Sequence, residues 1–267
     1  MWNRMITLPE NLLLELLKAG NIYCTKEKNF CEAVNSTLTK NKCIYKTELG
    51  LNGRNAYSYK TLNILSRKGN ISADFVLRKK DSGHPIVSDR TLLPRIPKSP
   101  KIYLDFTFWD NMKEDEKNSA IDQTIRASGI IKREYYLSNC VYTNVNKEAI
   151  NKFEKAMFKP YKLSNLPQNP ENTVVLDPYS KHEFRMDYSK NYVVLSLVDK
   201  GNRLKGTSST FAEELGAQTM SLSTRKVVNI TIDQTVAFLC KAIRGNTENA
   251  LQEVLPKRKK KLLNNVN

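Results

Sequence analysis

"NYVVLSLVDKGN", residues 191–202, is an apolar run that stops abruptly at Asp-Lys-Gly. A short, nearly continuous apolar run of this kind suits a strand covered on both faces, as in the centre of a parallel sheet. "NTVVLDPY", 172–179, ends in the same way at Asp177, and "KIYLDFTF", 101–108, carries Asp105. In open parallel sheets, ligands bind outside the carboxyl ends of the strands. Asp199 therefore closes a strand where a ligand is expected, and Gly201 lets the backbone turn tightly beside it. Each Asp also has a plainer reading as a helix cap or an Asx-turn, Asp177-Pro178 most of all.

The flanking sequence alternates helix and strand. "NMKEDEKNSAIDQTIRAS" reads as a helix capped by Asn111 with acids in its first turn, and "NKEAINKFEKAMF" as one capped by Asn146. "YYLSNCVYTNV" and "AQTMSLS" are strand-like. In "TSSTFAEELG", Thr210 and Glu213 stand at capping-box spacing, and Gly216 is placed to stop the helix. "IDQTVAFLCKAIRG" predicts a helix from Asp233 to Gly245, and "TENALQEVLP" a last short one. The pattern predicts an α/β fold, a mostly parallel sheet with helices on both faces. Upstream, "MITLPENLLLELLKAG" reads as an amphipathic helix begun near Thr7-Leu8-Pro9 and stopped at Gly20, not as a signal peptide. Three prolines in "LLPRIPKSPK", 92–101, mark a linker. The expected division is a small α+β domain over 1–98, an α/β domain over 99–256 and a basic tail over 257–267.

Charge narrows the function. The chain of 267 residues has a formal net charge of +16. Residues 1–98 carry 17 Lys+Arg against 8 Asp+Glu, and 257–261 are all basic, whereas the middle is nearly neutral. Basic appendages on a neutral body point to a nucleic-acid partner. No run approaches the roughly 20 apolar residues that span a bilayer. Five cysteines without a C-x-x-C pair, and the distant His84 and His182, give no zinc or disulfide pattern, so a reduced cytoplasmic setting without metal is expected. No G-x-G-x-x-G follows a strand and no G-x-x-x-x-G-K-[ST] occurs, so the pocket has to bind by backbone and shape.

In order, "IYLDFTFWDNM", "NYVVLSLVDKGNRLKG", "FAEELGAQTMSLS", "RKVVNITIDQTVAFL" and "ALQEVLPKRK" resemble successive blocks of the tRNA N1-purine methyltransferases that modify position 9, within the knotted SPOUT superfamily. The resemblance covers about residues 100 to 260. It implies a C-terminal trefoil knot whose loops hold S-adenosyl-L-methionine in a bent conformation. Carried over, the cofactor positions are Val194, Leu195, the turn Asp199, Lys200, Gly201, Asn202 and Arg203, then Leu222, Val227, Val228 and Asn229. Asp199 matches the catalytic position, Asp105 the acid of the opening strand, and Arg126, Lys132 and Arg133 the basic positions used against tRNA. Arg78-Lys79-Lys80 and 257–261 are read as a clamp on another arm. A monomer acting on tRNA, with no membrane association, is the family expectation.

Two departures bear on the target. Leu195-Ser196 replaces a common Gly-Gly, which narrows the pocket, and Ser223-Thr224-Arg225 follows Leu222 where many relatives carry an Asp. Guanine N1 holds a proton that must leave, and a well-placed carboxylate helps remove it. Adenine N1 already presents a lone pair. The missing carboxylate therefore favours an archaeal-like, adenine-specific member forming 1-methyladenosine. The alternatives are guanine or dual specificity, another RNA target such as ribosomal RNA or a ribose hydroxyl, and a non-catalytic RNA-binding subunit.

Overall fold

A computed structural model describes residues 7–47, 50–59, 62–167, 169–223 and 229–264. The chain divides into two compact units, 1–97 with 132–138, and 98–131 with 139–267.

The first unit contains α1 (Pro9–Leu17), β1 (Gly20–Tyr23), α2 (Phe30–Thr39), β2 (Lys42–Lys46), β3 (Gly50–Tyr59), β4 (Leu62–Ser72), β5 (Phe75–Lys79) and α3 (Asp89–Leu92). Its sheet runs β2-β5-β1-β4-β3, with β1 parallel to both neighbours and the outer pairs antiparallel. Leu12, Leu13 and Leu17 of α1 and Ala33 and Val34 of α2 are buried with Ile22, Ile44, Ile64 and Leu77 from the strands. The sequence reading missed α2, although Asn29 caps it by accepting from the Glu32 amide at 2.9 Å. Helix α1 ends at Leu17, three residues before Gly20, with Lys18 at φ +62° as its C-cap, and Gly20 instead opens β1.

The second unit contains β6 (Ile102–Asp105), α4 (Glu114–Glu134), β7 (Cys140–Thr143), α5 (Lys147–Lys155), β8 (Leu163–Ser164), β9 (Thr173–Leu176), β10 (Asn191–Leu195), α6 (Thr207–Leu215), β11 (Gln218–Met220), α7 (Ile232–Ile243), α8 (Ala250–Val254) and α9 (Lys257–Asn264). The last residues of α4, from Lys132, count with the first unit. The strands form a parallel sheet in the order β11-β9-β10-β6-β7-β8. The chain leaves β6 toward β7 and β8 and returns on β6's other side, so β6 and β10 flank a topological switch point.

Alternation along β10 explains why both faces are covered. Val193 and Leu195 pack with Tyr103, Val141 and Val175 against Phe211 and Ala212 of α6. Tyr192, one residue out of phase, meets Phe184, whose ring stands edge-on to Phe238 of α7 at 4.9 Å. Asn146 caps α5 through the Ala149 amide, and Gly216, at φ +69°, ends α6 in the left-handed conformation that glycine permits.

Three sequence expectations need correction. Asn111 lies in a 3-10 turn, and α4 begins at Glu114, where the Lys113 amide donates to the Glu116 carboxylate at 2.8 Å. Helix α6 begins at Thr207 behind Gly206, which adopts φ +84°, so Thr210 is an interior residue and forms no capping box. The basic run 257–261, read as a tail, is helical as part of α9. Among the described residues no helix is long and apolar enough to cross a membrane.

Candidate functional site

At the carboxyl ends of β9, β10 and β11 the sheet opens into a cavity of about 290 Å³. Four stretches line it: 176–179 after β9, 194–208 after β10, 220–223 after β11 and 229–232 before α7. Leu176, Val194, Leu195, Leu197, Val198, Leu204, Met220, Leu222 and Ile230 make the wall largely apolar. Asn202, Ser221, Ser223, Asn229 and Thr235 add neutral polar groups. The carboxylates of Asp177, just after β9, and Asp199, in the loop after β10, and the ammonium groups of Lys205 and Lys259 supply charge.

Asp199 organises the loop that follows β10. One carboxylate oxygen accepts from the Gly201 amide at 3.1 Å and the other from the Leu204 amide at 2.7 Å. Partial burial opposes its ionisation, but the amides of Leu204, Arg203 and Gly201 and the Arg203 guanidinium outweigh that and hold the carboxyl below its ordinary range. Asp199 is thus an ionised anchor for the turn and a weak proton acceptor.

The same loop is pinned to the first turn of α4. The buried Glu116 accepts from the Lys200 amide at 2.9 Å and from the Arg203 guanidinium at 2.6 Å. Its burial also disfavours charge, yet the Lys113 and Lys200 amides and Arg203 hold its carboxyl below the usual value. The Lys200 ammonium pairs with Asp115 at 2.8 Å. Lys200, Gly201 and Arg203, expected to hold cofactor, are not among the cavity's lining residues, and the two cations are engaged on α4. Val194, Leu195, Asp199, Asn202, Leu222 and Asn229 do line the cavity. Val227 and Val228 lie outside the described residues.

The Leu195-Ser196 pair divides its roles. Leu195 faces the cavity and the α6 cluster. Ser196 is 2% exposed, is absent from the cavity wall and extends the ladder by donating its amide to the Asp105 carbonyl at 2.7 Å. Only one of the two side chains therefore narrows the pocket.

The other two acids, Asp105 and Asp177, make structural contacts. Asp105 is 1% exposed, and its carboxylate accepts from the Thr143 hydroxyl, the Asn144 side-chain amide and the Thr107 backbone amide at 2.6–3.0 Å. It ties the ends of β6 and β7 together and is not among the residues that line the cavity. Asp177 forms the Asx-turn its sequence suggested, accepting from the Tyr179 amide at 3.1 Å, and its second oxygen accepts from Ser209 of α6 at 2.5 Å. Arg126 pairs with Asp233 of α7 at 3.0 Å, and Lys132 and Arg133 occupy the last turn of α4; none of the three is among the residues that line the cavity. Lys132 adds its charge to burial in holding the Lys40 ammonium below its normal range.

Sequence reasoning missed Gln123, Tyr179, Lys205 and Lys259 as lining residues. Gln123, on α4, accepts from the Ile232 amide at 3.0 Å, which fixes the start of α7 beside the cavity. Lys259 donates to Gln234 at 3.0 Å. Burial is the main cause that lowers its ammonium's pKa, Asp233 counteracts it and Arg258 adds to it. The local signal was present only for Lys259, inside a run already marked as basic. Among the described residues no cluster of His, Cys, Asp or Glu is placed to hold a metal ion.

Comparison with known proteins agrees with this architecture. The tRNA (guanine(9)-N(1))-methyltransferase TRM10/TRM10A family model matches residues 73–260. A tRNA (guanine(9)-N1)-methyltransferase of Schizosaccharomyces pombe is 26% identical over 209 residues, 70% of this chain and 68% of that protein. A tRNA (guanine(9)-/adenine(9)-N1)-methyltransferase of Thermococcus kodakarensis is 24% identical over 157 residues, 56% of this chain. The match spans less than half of that relative's length, 42%. Among solved structures, Sulfolobus acidocaldarius Trm10 in complex with S-adenosylhomocysteine superposes with a TM-score of 0.67 at 15% identity, over 96% of this chain and 86% of that one. The dual-specific Trm10 of Thermococcus kodakaraensis gives 0.63 at 14% identity, over 89% and 96%. With the family model covering well over half of its length, the chain belongs to the TRM10/TRM10A family of tRNA position-9 N1-methyltransferases.

Proposed function

We propose that the chain binds S-adenosylmethionine in the cavity beside Asp199 and methylates N1 of the purine at tRNA position 9, with adenine preferred. The carrying observation is the cavity itself, small, mostly apolar, at the carboxyl ends of three parallel strands and edged by an ordered carboxylate. Its volume lies near the lower end of the about 300–1,000 Å³ typical of small-molecule sites. The apolar wall suits an adenosine, and Asn202, Ser221, Ser223, Asn229 and Lys259 are available to its polar groups and amino-acid end. When bound, the sulfonium supplies an activated methyl group for in-line displacement. Alignment is then the protein's main contribution, and the Asp199 and Glu116 anchors hold the loop that provides it.

The preference for adenine rests on the state of Asp199. Its amide donors make it a poor proton acceptor, which suits a nucleophile that has no proton to lose. An ionised Asp199 also favours positive charge on the ring under attack. Guanine or dual specificity is the second reading, favoured by the names of the matched family and of the Thermococcus relative. The trefoil threading implied by the resemblance belongs to the same proposal, supported by the convergence of the 194–208, 220–223 and 229–232 stretches on one cavity.

Position 9 lies within the tertiary core of tRNA, so the base has to be extruded at a cost of a few kcal/mol. Phosphate contacts from basic side chains such as Lys132 and Arg133 offset that cost. Replacing both with Glu should weaken tRNA binding and reduce its salt slope by about 1–2 while donor binding is kept. Unchanged tRNA affinity removes them from the interface. The decisive assay uses two transcripts that differ only in A or G at position 9, digested to nucleosides after reaction. 1-Methyladenosine is expected. Product mainly on the G transcript overturns the adenine preference, and product on neither overturns the position-9 assignment.

A further inference from the structure

Tyr179 follows the Asp177-Pro178 turn at the end of β9. It is a large aromatic residue left 37% exposed, and it lines the same cavity as Asp199. Its backbone is fixed. The Tyr179 amide donates to Asp177, and Asp177 accepts from Ser209 in the first turn of α6. Lys205, just before α6, extends its ammonium over the Tyr179 ring at 4.9 Å from the centroid. A rigid mount therefore presents an aromatic ring, with a cation on its face, to the cavity that Asp199 edges.

We propose that the Tyr179 ring receives the target adenine and that Lys205 holds the place that the methylated base takes. The proposal rests on the adenine reading above and follows from charge balance. In the transfer, the bond from the methyl carbon to sulfur breaks and sulfur keeps its electron pair. Adenine N1 supplies the pair for the new N–CH3 bond. No proton leaves, so the positive charge moves from sulfur to the adenine ring. An aromatic face attracts a cation more strongly than a neutral base, so Tyr179 binds the charged product, and the transition state approaching it, better than the substrate. Preference of that kind is what raises a rate. Guanine gains nothing here, because loss of its N1 proton leaves the methylated base neutral.

The test compares the wild-type chain with Tyr179→Phe and Tyr179→Leu. Binding of two tRNAs, one with adenosine and one with 1-methyladenosine at position 9, is measured by fluorescence anisotropy without donor. The wild type and Tyr179→Phe should prefer the methylated tRNA by about tenfold, the scale of a partly desolvated cation–π contact. Tyr179→Leu should lose the preference, and its kcat on the A transcript, read at saturating donor, should fall by a similar factor. The wild-type preference should also decline at alkaline pH, where the methylated base loses its charge, which tests the idea even if Tyr179→Leu does not fold. A Tyr179→Leu chain that keeps both the preference and the kcat, or a wild-type chain with no preference at any pH, overturns the stacking role. A wild type that forms no 1-methyladenosine defeats the underlying adenine reading, a separate outcome.

Discussion

Asp105 ends β6, whereas Asp199 lies in the loop four residues past the end of the hydrogen-bonded neighbour β10, whose Leu195 is paired in register with Asp105. Both acids stand at the carboxyl side of a parallel sheet, yet their surroundings differ. Asp105 is closed over by Thr143, Asn144 and Thr107, whereas Asp199 leans on the amides of its own loop and edges an open cavity. Position at the carboxyl end of a strand is therefore not sufficient for a site. The loop that follows has to leave space, and here it does so because Glu116 and Asp115 draw Lys200 and Arg203 onto α4.

Mutating the two acids separates these roles. Asp199→Ala removes the acceptor for its loop amides, and methyl transfer should fall by about 100-fold, as expected when reacting groups lose alignment. Its melting temperature should change little. Asp105→Ala leaves buried donors unsatisfied and should destabilise the fold by about 1–3 kcal/mol, with donor affinity near wild type in calorimetry. If Asp105→Ala weakened donor binding more than Asp199→Ala did, the contrast between the two strand ends would be reversed.

A smaller effect is expected at the pin itself. Glu116→Gln keeps an acceptor for the Lys200 amide but loses the charge facing Arg203. Donor binding should weaken by about 1 kcal/mol, roughly fivefold, with tRNA affinity unchanged. An unaltered donor Kd would mean that the α4 contact does not shape the cavity.

The smallest predicted effect concerns pH. Asp199 and Glu116 both have carboxyl pKa values depressed in the folded chain. Their contribution is complete above the ordinary carboxylate value of about 4 and is lost only as pH falls through the lower folded value. Donor affinity should stay level from pH 8 to pH 5. For the A transcript, kcat should also be level across the neutral range. A rate rising tenfold per pH unit there would show that a proton leaves before transfer.

What was legible in the sequence was local. The strand leading toward Asp199, which ends at Leu195 four residues before it, the Asn146 cap, the Asx-turn at Asp177 and the left-handed Gly216 each depend on residues within a few positions of one another. The fate of Lys200 and Arg203 was not legible, because their partners on α4 lie more than 80 residues away and meet them only through the packing of the folded unit. Asn111 misled because the turn at Trp109–Asn111 comes before the helix. Tyr179 stayed hidden because Asp-Pro explains itself as a turn without reference to the ring that it presents. The run 257–261 showed its charge but neither its helix nor its contact, because charge pattern alone does not place Lys259 beside Gln234.

The central claim is that a methyl donor occupies the slot framed by Leu195, Asp199 and Leu222. Crystals of the chain grown with S-adenosylhomocysteine test it most directly. The account predicts density for that molecule between these three residues, with Lys200 and Arg203 still engaged on Asp115 and Glu116. The molecule bound at another face, or an empty slot at saturating concentration, would contradict it.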